Sequence, residues 1–254
     1  KIIFVFFVAS RLYKKSATFL DHVITTAVAA AYVLVLVLSR DLGSAVVFFI
    51  TYVVMLYVAT KKPLYLFAGL GSGCLAAVIA YFLFSHVRQR VVAWRDPFSV
   101  WETSGYQILQ GLFAIGAGGW FGVGLCKGSP ELIPFVQQDY MFAAICEELG
   151  GLFAICMILV CMSMFLLVVN ISLRIKKRFY KLIALGLGTE YAFQVFLTIG
   201  GVSKFIPMTG ITLPLVSYGG SSVLATIIML AIIQGLYILR EDEDEEFERQ
   251  KEKI

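Results

Sequence analysis

Nine carboxylates stand outside the acidic run at the C-terminal end of this chain, and one of them, Asp139, closes a polar, glycine-rich stretch just before a long apolar segment. A carboxylate in that position can take a proton from an attacking hydroxyl. It can equally serve as a helix N-cap, accepting free backbone N–H groups and complementing the helix dipole. The other eight are Asp21, Asp41, Asp96, Glu102, Glu131, Glu147, Glu148 and Glu190. At about 100° per residue, Glu147 lies about 80° round a helix from Asp139 and Glu148 about 180°. Glu147 alone of the two is therefore placed to share a cavity with Asp139. The ordinary reading of both is a buried carboxylate hydrogen-bonded to a neighbouring element. Glu190, Gln194 and Thr198 fall at i, i+4 and i+8, a polar stripe that more often joins helices than forms a pathway.

A second constellation runs from Lys204 to Ser222. Pro207, Gly210 and Pro214 interrupt any continuous helix there. Ser217, Gly219, Gly220, Ser221 and Ser222 then present hydroxyl and backbone N–H donors at a helix start, where the dipole favours an anion. Small residues in such a place also serve close helix packing. Lys204 and the cations Arg88, Arg90, Arg95 and Lys127 fall on the same side of the chain as this loop, which directs attention to an anionic ligand. The five cysteines show no metal-ligand spacing, and His22 and His86 are far apart, so no protein metal site is expected from them.

The elements that must hold these residues are membrane spans. Of 254 residues, 59% are hydrophobic and 15% charged, a composition that excludes an ordinary soluble domain. About 20 apolar residues cross a hydrocarbon core of about 30 Å as a helix, and such runs occupy residues 19–38, 42–60, 64–84, 140–169, 182–202 and 211–239. A seventh run, 2–10, is too short to span alone and reads as the end of a helix that begins upstream. Ten Lys and Arg in three short loops (Arg11, Lys14, Lys15; Lys61, Lys62; Arg174, Lys176, Lys177, Arg178, Lys181) belong on the cytoplasmic side. The insert 85–139 and the loop 203–210 then face outward, and the charged segment 240–254 is a frayed cytoplasmic tail. The insert carries all three tryptophans, Trp94, Trp101 and Trp120, as expected of a segment resting at the interface. Residues 105–115 can form an amphipathic or re-entrant helix, broken by Gly116, Gly118, Gly119, Gly122 and Gly124. Open backbone at membrane depth survives only against protein or a wet cavity, so the insert should fold back onto the bundle. The expected architecture is an all-α polytopic membrane protein: one domain over 1–239 with a large extracytoplasmic insert, then the tail.

The motifs Arg40-Asp-Leu-Gly-Ser-Ala45, Arg90-Val-Val-Ala-Trp-Arg-Asp-Pro97, Gly105-Tyr-Gln107 with the following glycine-rich run to Gly124, Gln137-Gln-Asp-Tyr-Met-Phe-Ala-Ala-Ile-Cys-Glu-Glu-Leu-Gly150 and Val216-Ser-Tyr-Gly-Gly-Ser-Ser222 occur in one order along the chain. In this the chain closely resembles the SEDS family (shape, elongation, division and sporulation; the FtsW/RodA/SpoVE type). Gln137-Gln138 stands where His-Thr is more usual, and Arg40 where proline is common. The resemblance covers essentially the whole chain and implies about seven spans here of about ten, each of spanning length when whole. Lys1 matches the lysine of the family's Glu-x-x-Lys motif.

The family polymerises lipid II, an undecaprenyl-pyrophosphate-linked disaccharide-pentapeptide, into glycan strands on the outer face of the bacterial cytoplasmic membrane. The resemblance places the essential aspartate at Asp139, as base for the acceptor 4-hydroxyl. It implies substrate contacts from Lys1, Asp41, Arg90, Gln107, Lys204, Ser217, Gly219, Gly220, Ser221 and Ser222. A divalent cation is a further candidate for neutralising the pyrophosphate. The implied partners are lipid II and a class B penicillin-binding protein in the same membrane, with no nucleic acid. Two other functions fit the same composition: a lipid II flippase using Glu147, Glu190 and Gln194 as a polar path, and a non-catalytic division scaffold.

Overall fold

The computed structural model describes residues 1–14 and 19–251, with residues 19 and 242–251 described by backbone course alone. Lys15 of the first basic loop and residues 252–254 lie outside the described residues. Among the described residues, nine α-helices carry the fold: α1 (Ile2–Leu12), α2 (Phe19–Leu38), α3 (Leu42–Thr60), α4 (Pro63–Leu83), α5 (Ser85–Arg95), α6 (Tyr106–Gly118), α7 (Met141–Arg174), α8 (Arg178–Val202) and α9 (Gly220–Lys251). Six of them, α2, α3, α4, α7, α8 and α9, are long and apolar enough to cross a membrane. The protein is a multi-pass, all-helical membrane protein.

α1 has 11 residues and is too short to span, as expected, yet Phe4, Val5, Val8, Ala9 and Leu12 are all buried. It packs with α3 and α8 into the main core, where Met55 and Leu56 meet Ile183, Ala184, Leu187 and Tyr191. Gly186 permits this approach, since a Cβ there would lie 2.6 Å from Val5 Cγ1 and 2.7 Å from Met55 Sδ. Small residues at such crossings let helices approach where lipid offers no hydrophobic drive. α4, by contrast, buries none of its residues and leaves Leu64, Phe67 and Leu83 exposed, as a lipid-facing edge helix should.

Several boundaries differ from the sequence expectation. The last span starts at Gly220, not 211, because Pro214 and the hydrogen-bonded loop around it hold the preceding residues out of helix. α9 continues as helix to Lys251 through the segment expected to fray. α6 runs through Gly116 and stops at Gly118, where Gly119 takes φ +54°. The insert also holds α5, which its charged, weakly periodic sequence did not announce. Arg40 adopts φ +64°, a conformation closed to proline, whose ring fixes φ near −65°.

The insert does fold back onto the bundle, and it does so by exchanging backbone hydrogen bonds with α7. That helix is kinked at Gly150, which takes φ +83° and ψ 171°. The kink frees the carbonyls of Glu147 and Glu148, which accept from Val123 N (2.9 Å) and Gly124 N (3.0 Å). The matching N–H groups of Gly151 and Leu152 donate to Gly119 O (2.8 Å) and Trp120 O (3.1 Å). Two intrahelical bonds are replaced by four to the loop, so the kink leaves none of these groups unpaired. Gly122 must be glycine here, because a Cβ would fall 2.2 Å from Glu148 O.

Candidate active site

Asp139 sits in the linker between the insert and α7. It does not cap the helix: Tyr140 holds the N-cap position of α7, and no side chain bonds the free N–H groups there. The cap expectation is thereby corrected, and the carboxylate is left to face other groups. Tyr140 is the anchor. Its ring is fully buried against α6, where a Cβ on Gly111 would lie 2.5 Å from it. That contact, with Phe142, Ala143 and Cys146 of α7 and Ala114 of α6 in one cluster, fixes where Asp139 begins.

Three elements converge on the carboxylate. From α6, Gln107 Nε2 donates to Pro134 O at 2.8 Å and to Asp139 Oδ1 at 3.4 Å. From α5, Arg90 Nη1 donates to Met208 O at 3.0 Å, and four residues on, one turn along the same face, Trp94 Nε1 donates to Lys204 O at 3.0 Å. These two bonds clamp the loop after α8 beneath α5. The third element is that loop itself. A Cβ built on Gly210 would lie 3.8 Å from Arg90 Nη1 and 3.9 Å from Asp139 Oδ2, so a bare glycine with φ +76° floors the space between cation and carboxylate. Burial pushes the Asp139 carboxyl above the ordinary aspartate range, and the Arg90 charge and Gln107 hydrogen bond pull against that rise. The result is a half-buried carboxylate of increased basicity beside a fixed cation.

The Val216–Ser222 motif lies beside this place. Tyr218 N donates to Gln137 O at 2.7 Å, two residues before Asp139. An open groove of about 650 Å³ borders the loop, lined by Gln137, Met141, Ser217, Tyr218, Gly219 and Gly220, then by Val223, Leu224 and Ile227 of α9. The Ser217 hydroxyl is buried and accepts from Leu213 N at 3.0 Å, which braces the loop from within. Ser222 Oγ is tied to Thr212 Oγ1 (2.9 Å) and Gln194 Nε2 (3.4 Å). Gly219, Gly220 and the exposed Ser221 remain at the start of α9, where backbone N–H groups have no intrahelical acceptor.

Lys1 and Asp41 gather elsewhere. Lys1 Nζ donates to Gln194 Oε1 at 2.6 Å, within reach of the charges of Glu190 and Asp41, while Asp41 caps α3 through Ser44 N at 3.0 Å. Gln194 links this group to the motif loop through Thr212 O at 2.8 Å, and Thr198 Oγ1 bonds Ile211 O at 3.0 Å. Gln194 and Thr198 of the α8 stripe thus hold the non-helical backbone of residues 211–212 in place. Lys204 takes part through its backbone, with φ +59°. Glu147 does not share the Asp139 site: buried, it accepts from Ser129 N at 3.0 Å and pins the loop that a Cβ on Gly128 would crowd. Gly210, Pro134 and Trp94 escaped the sequence reading as site residues, Gly210 having been noted merely as a helix breaker.

The family model described as "cell cycle protein", of the FtsW/RodA/SpoVE group, matches residues 1–241. The chain belongs to the FtsW/RodA/SpoVE family. Among its relatives is the peptidoglycan glycosyltransferase RodA of Mycobacterium tuberculosis H37Rv, 42% identical over 201 residues, covering 78% of this chain and 42% of the relative. The probable peptidoglycan glycosyltransferase FtsW of Saccharophagus degradans is 38% identical over 214 residues, covering 82% of this chain and 55% of the relative. The chain therefore spans about half the length of these curated relatives. A solved chain from a peptidoglycan synthase complex, studied for the coordination of polymerization and crosslinking, superposes with a TM-score of 0.77 at 25% identity, over 93% of this chain and 68% of its own. The helical bundle is thus the fold of the FtsW/RodA/SpoVE family.

Proposed function

We propose that this protein is a glycosyltransferase that polymerises lipid II into peptidoglycan strands, with Asp139 as its base. The observation that carries the reading is the meeting of Asp139, Arg90 and Gln107 around bare Gly210, four residues delivered by four separate segments to one half-buried spot. The acceptor 4-hydroxyl gives its proton to the Asp139 carboxylate as its oxygen bonds to C1 of the donor sugar. The bond from C1 to the pyrophosphate oxygen breaks, and undecaprenyl pyrophosphate departs with the electron pair. A positioned base of raised pKa contributes about 10²–10⁴-fold to such a step. The residues around Asp139 offer one carboxylate, a guanidinium and a carboxamide, which do not by themselves make a metal site. The developing pyrophosphate charge then falls to Arg90 and to the N–H groups at the start of α9. The polyprenyl chain would lie in the groove along Val223, Leu224 and Ile227, whose apolar lining suits it.

The proposed setting is the bacterial cytoplasmic membrane with the Asp139 end outward and a class B penicillin-binding protein as crosslinking partner. The flippase alternative is weakened at two of its three residues: Gln194 is committed to Lys1 Nζ and to Thr212 O, and Glu147 to Ser129 N. The test is purified full-length protein given lipid II, read as glycan strands on a gel. Strands are expected from the wild type and absent for Asp139→Asn. Lipid II translocated across liposomes without strand formation would overturn the reading.

A further inference from the structure

At the end of the bundle opposite Asp139, a cavity of about 1020 Å³ opens between the ends of the spans. It is walled by the last turn of α3 (Tyr57–Thr60), Lys61, Lys62 and Tyr65 at the start of α4, Leu173 and Ile175 at the end of α7, and Arg178, Lys181 and Leu182 at the start of α8. Lys14, His22 and Lys176 complete it. Three loops distant in sequence thus send six cations, Lys14, Lys61, Lys62, Lys176, Arg178 and Lys181, to one concavity. No carboxylate is among its described lining residues.

A general excess of Lys and Arg on one side of a membrane explains basic loops. It does not explain their convergence on a single hollow, nor the way the hollow is wired. Two of the helices at its wall end there with carbonyls that would repel an anion, and both are covered: Arg178 donates to Ala59 O of α3, and Lys181 Nζ to Leu173 O of α7 at 3.3 Å. Two others begin there: α8, whose N-cap residue Lys177 makes no side-chain cap, and α4, which opens on Pro63 and so has no N–H at its first position. Cations and helix N-termini act in the same direction, toward bound negative charge. Between them lie Val58, Ala59, Ile175 and Leu182, with Tyr57 and Tyr65, an apolar and aromatic lining suited to the boundary between headgroup and acyl chain.

We infer that this cavity binds the phosphate headgroup of an anionic phospholipid, and that its size and six cations suit a headgroup with two phosphates better than one with a single charge. Basic pockets between spans at the membrane surface have the chemistry for this class of ligand. Such a lipid would tie α3, α4, α7 and α8 together at the end remote from the proposed chemistry. The inference does not depend on lipid II or on catalysis.

The test uses full-length protein in detergent, with cardiolipin, phosphatidylcholine and inorganic pyrophosphate as separate probes, read by native mass spectrometry and by thermal melting. Cardiolipin should remain bound and raise the melting temperature, phosphatidylcholine should do neither, and pyrophosphate should compete weakly. Lys61→Gln/Lys62→Gln lies in an exposed turn and should fold, yet bind cardiolipin about tenfold or more weakly. The control Arg11→Gln/Arg174→Gln removes the same charge from the same end but outside the cavity, and should keep the wild-type affinity. Equal losses in the two variants would show diffuse surface attraction and overturn the site. Pyrophosphate binding without cardiolipin binding would assign the pocket to a soluble anion and overturn the lipid assignment.

Discussion

Gln107 holds Asp139 at 3.4 Å while its closer bond, 2.8 Å, goes to the carbonyl of Pro134. One carboxamide therefore fixes both the carboxylate and the chain that delivers it. Its bond favours the ionised carboxyl. Gln107→Met keeps the length of the side chain and removes both bonds, so the Asp139 pKa should rise further. An ionised base is lost as pH falls through its pKa, so the acid limb of the polymerisation profile should move to higher pH. The profile of rate against pH checks this; an unmoved acid limb would detach Gln107 from the base.

For Asp139→Asn, activity and stability should part company. Burial raises the Asp139 pKa, so its stability contribution is present below the unfolded pKa and lost as pH rises through the folded one. A neutral carboxamide escapes that loss, and there is no helix cap to forfeit. At neutral pH the melting temperature should equal or exceed the wild type, while polymerisation falls about 10²-fold or more. A stable variant with near-normal polymerisation would remove Asp139 from the mechanism.

Gly220 offers a clean probe of the motif loop. A Cβ there meets nothing within 4 Å, so Gly220→Val should fold and insert normally. If the start of α9 receives the pyrophosphate, the branched side chain obstructs it, and lipid II affinity should weaken. Unchanged affinity in a well-folded variant would return the loop to a packing role.

Glu147 should prove structural. Glu147→Gln retains an oxygen for Ser129 N and should cost little. Glu147→Ala removes the acceptor of Ser129 N, a part-buried bond, at about 1 kcal/mol. Thermal melts of the two variants, beside their polymerisation rates, separate the roles: activity lost in a fully stable Gln variant would argue for chemistry at Glu147.

The three basic loops gather at one end and the insert at the other, which sharpens the topology prediction. Single cysteines at position 102 and position 177 should respond oppositely to an impermeant reagent in intact cells, with 102 labelled and 177 protected. The reverse pattern would invert the orientation.

What the sequence determined by itself was the set of spans, their basic ends and the family. Twenty-residue apolar runs and clustered Lys and Arg are local properties, and the Gln137–Gly150 and Val216–Ser222 motifs read directly as SEDS. It also marked the glycine run from Gly116 to Gly124 as a break in helix, but not which glycine meets α7. The sequence could not decide what Asp139 faces. A cap and a free carboxylate share the same residues before a helix, and the choice rests on Tyr140 seating against Gly111 and on Gly210 arriving from beyond α8. Nor could helical angles predict that Glu147 would turn to Ser129, since the partner is a loop whose course is set by hydrogen bonds exchanged across the Gly150 kink. Those bonds join residues 24 and 32 positions apart. The pairing of Arg178 with Ala59 and the single basic cavity likewise exist only when α3, α7 and α8 end together, because charge convergence is a property of packing and leaves no trace in spacing.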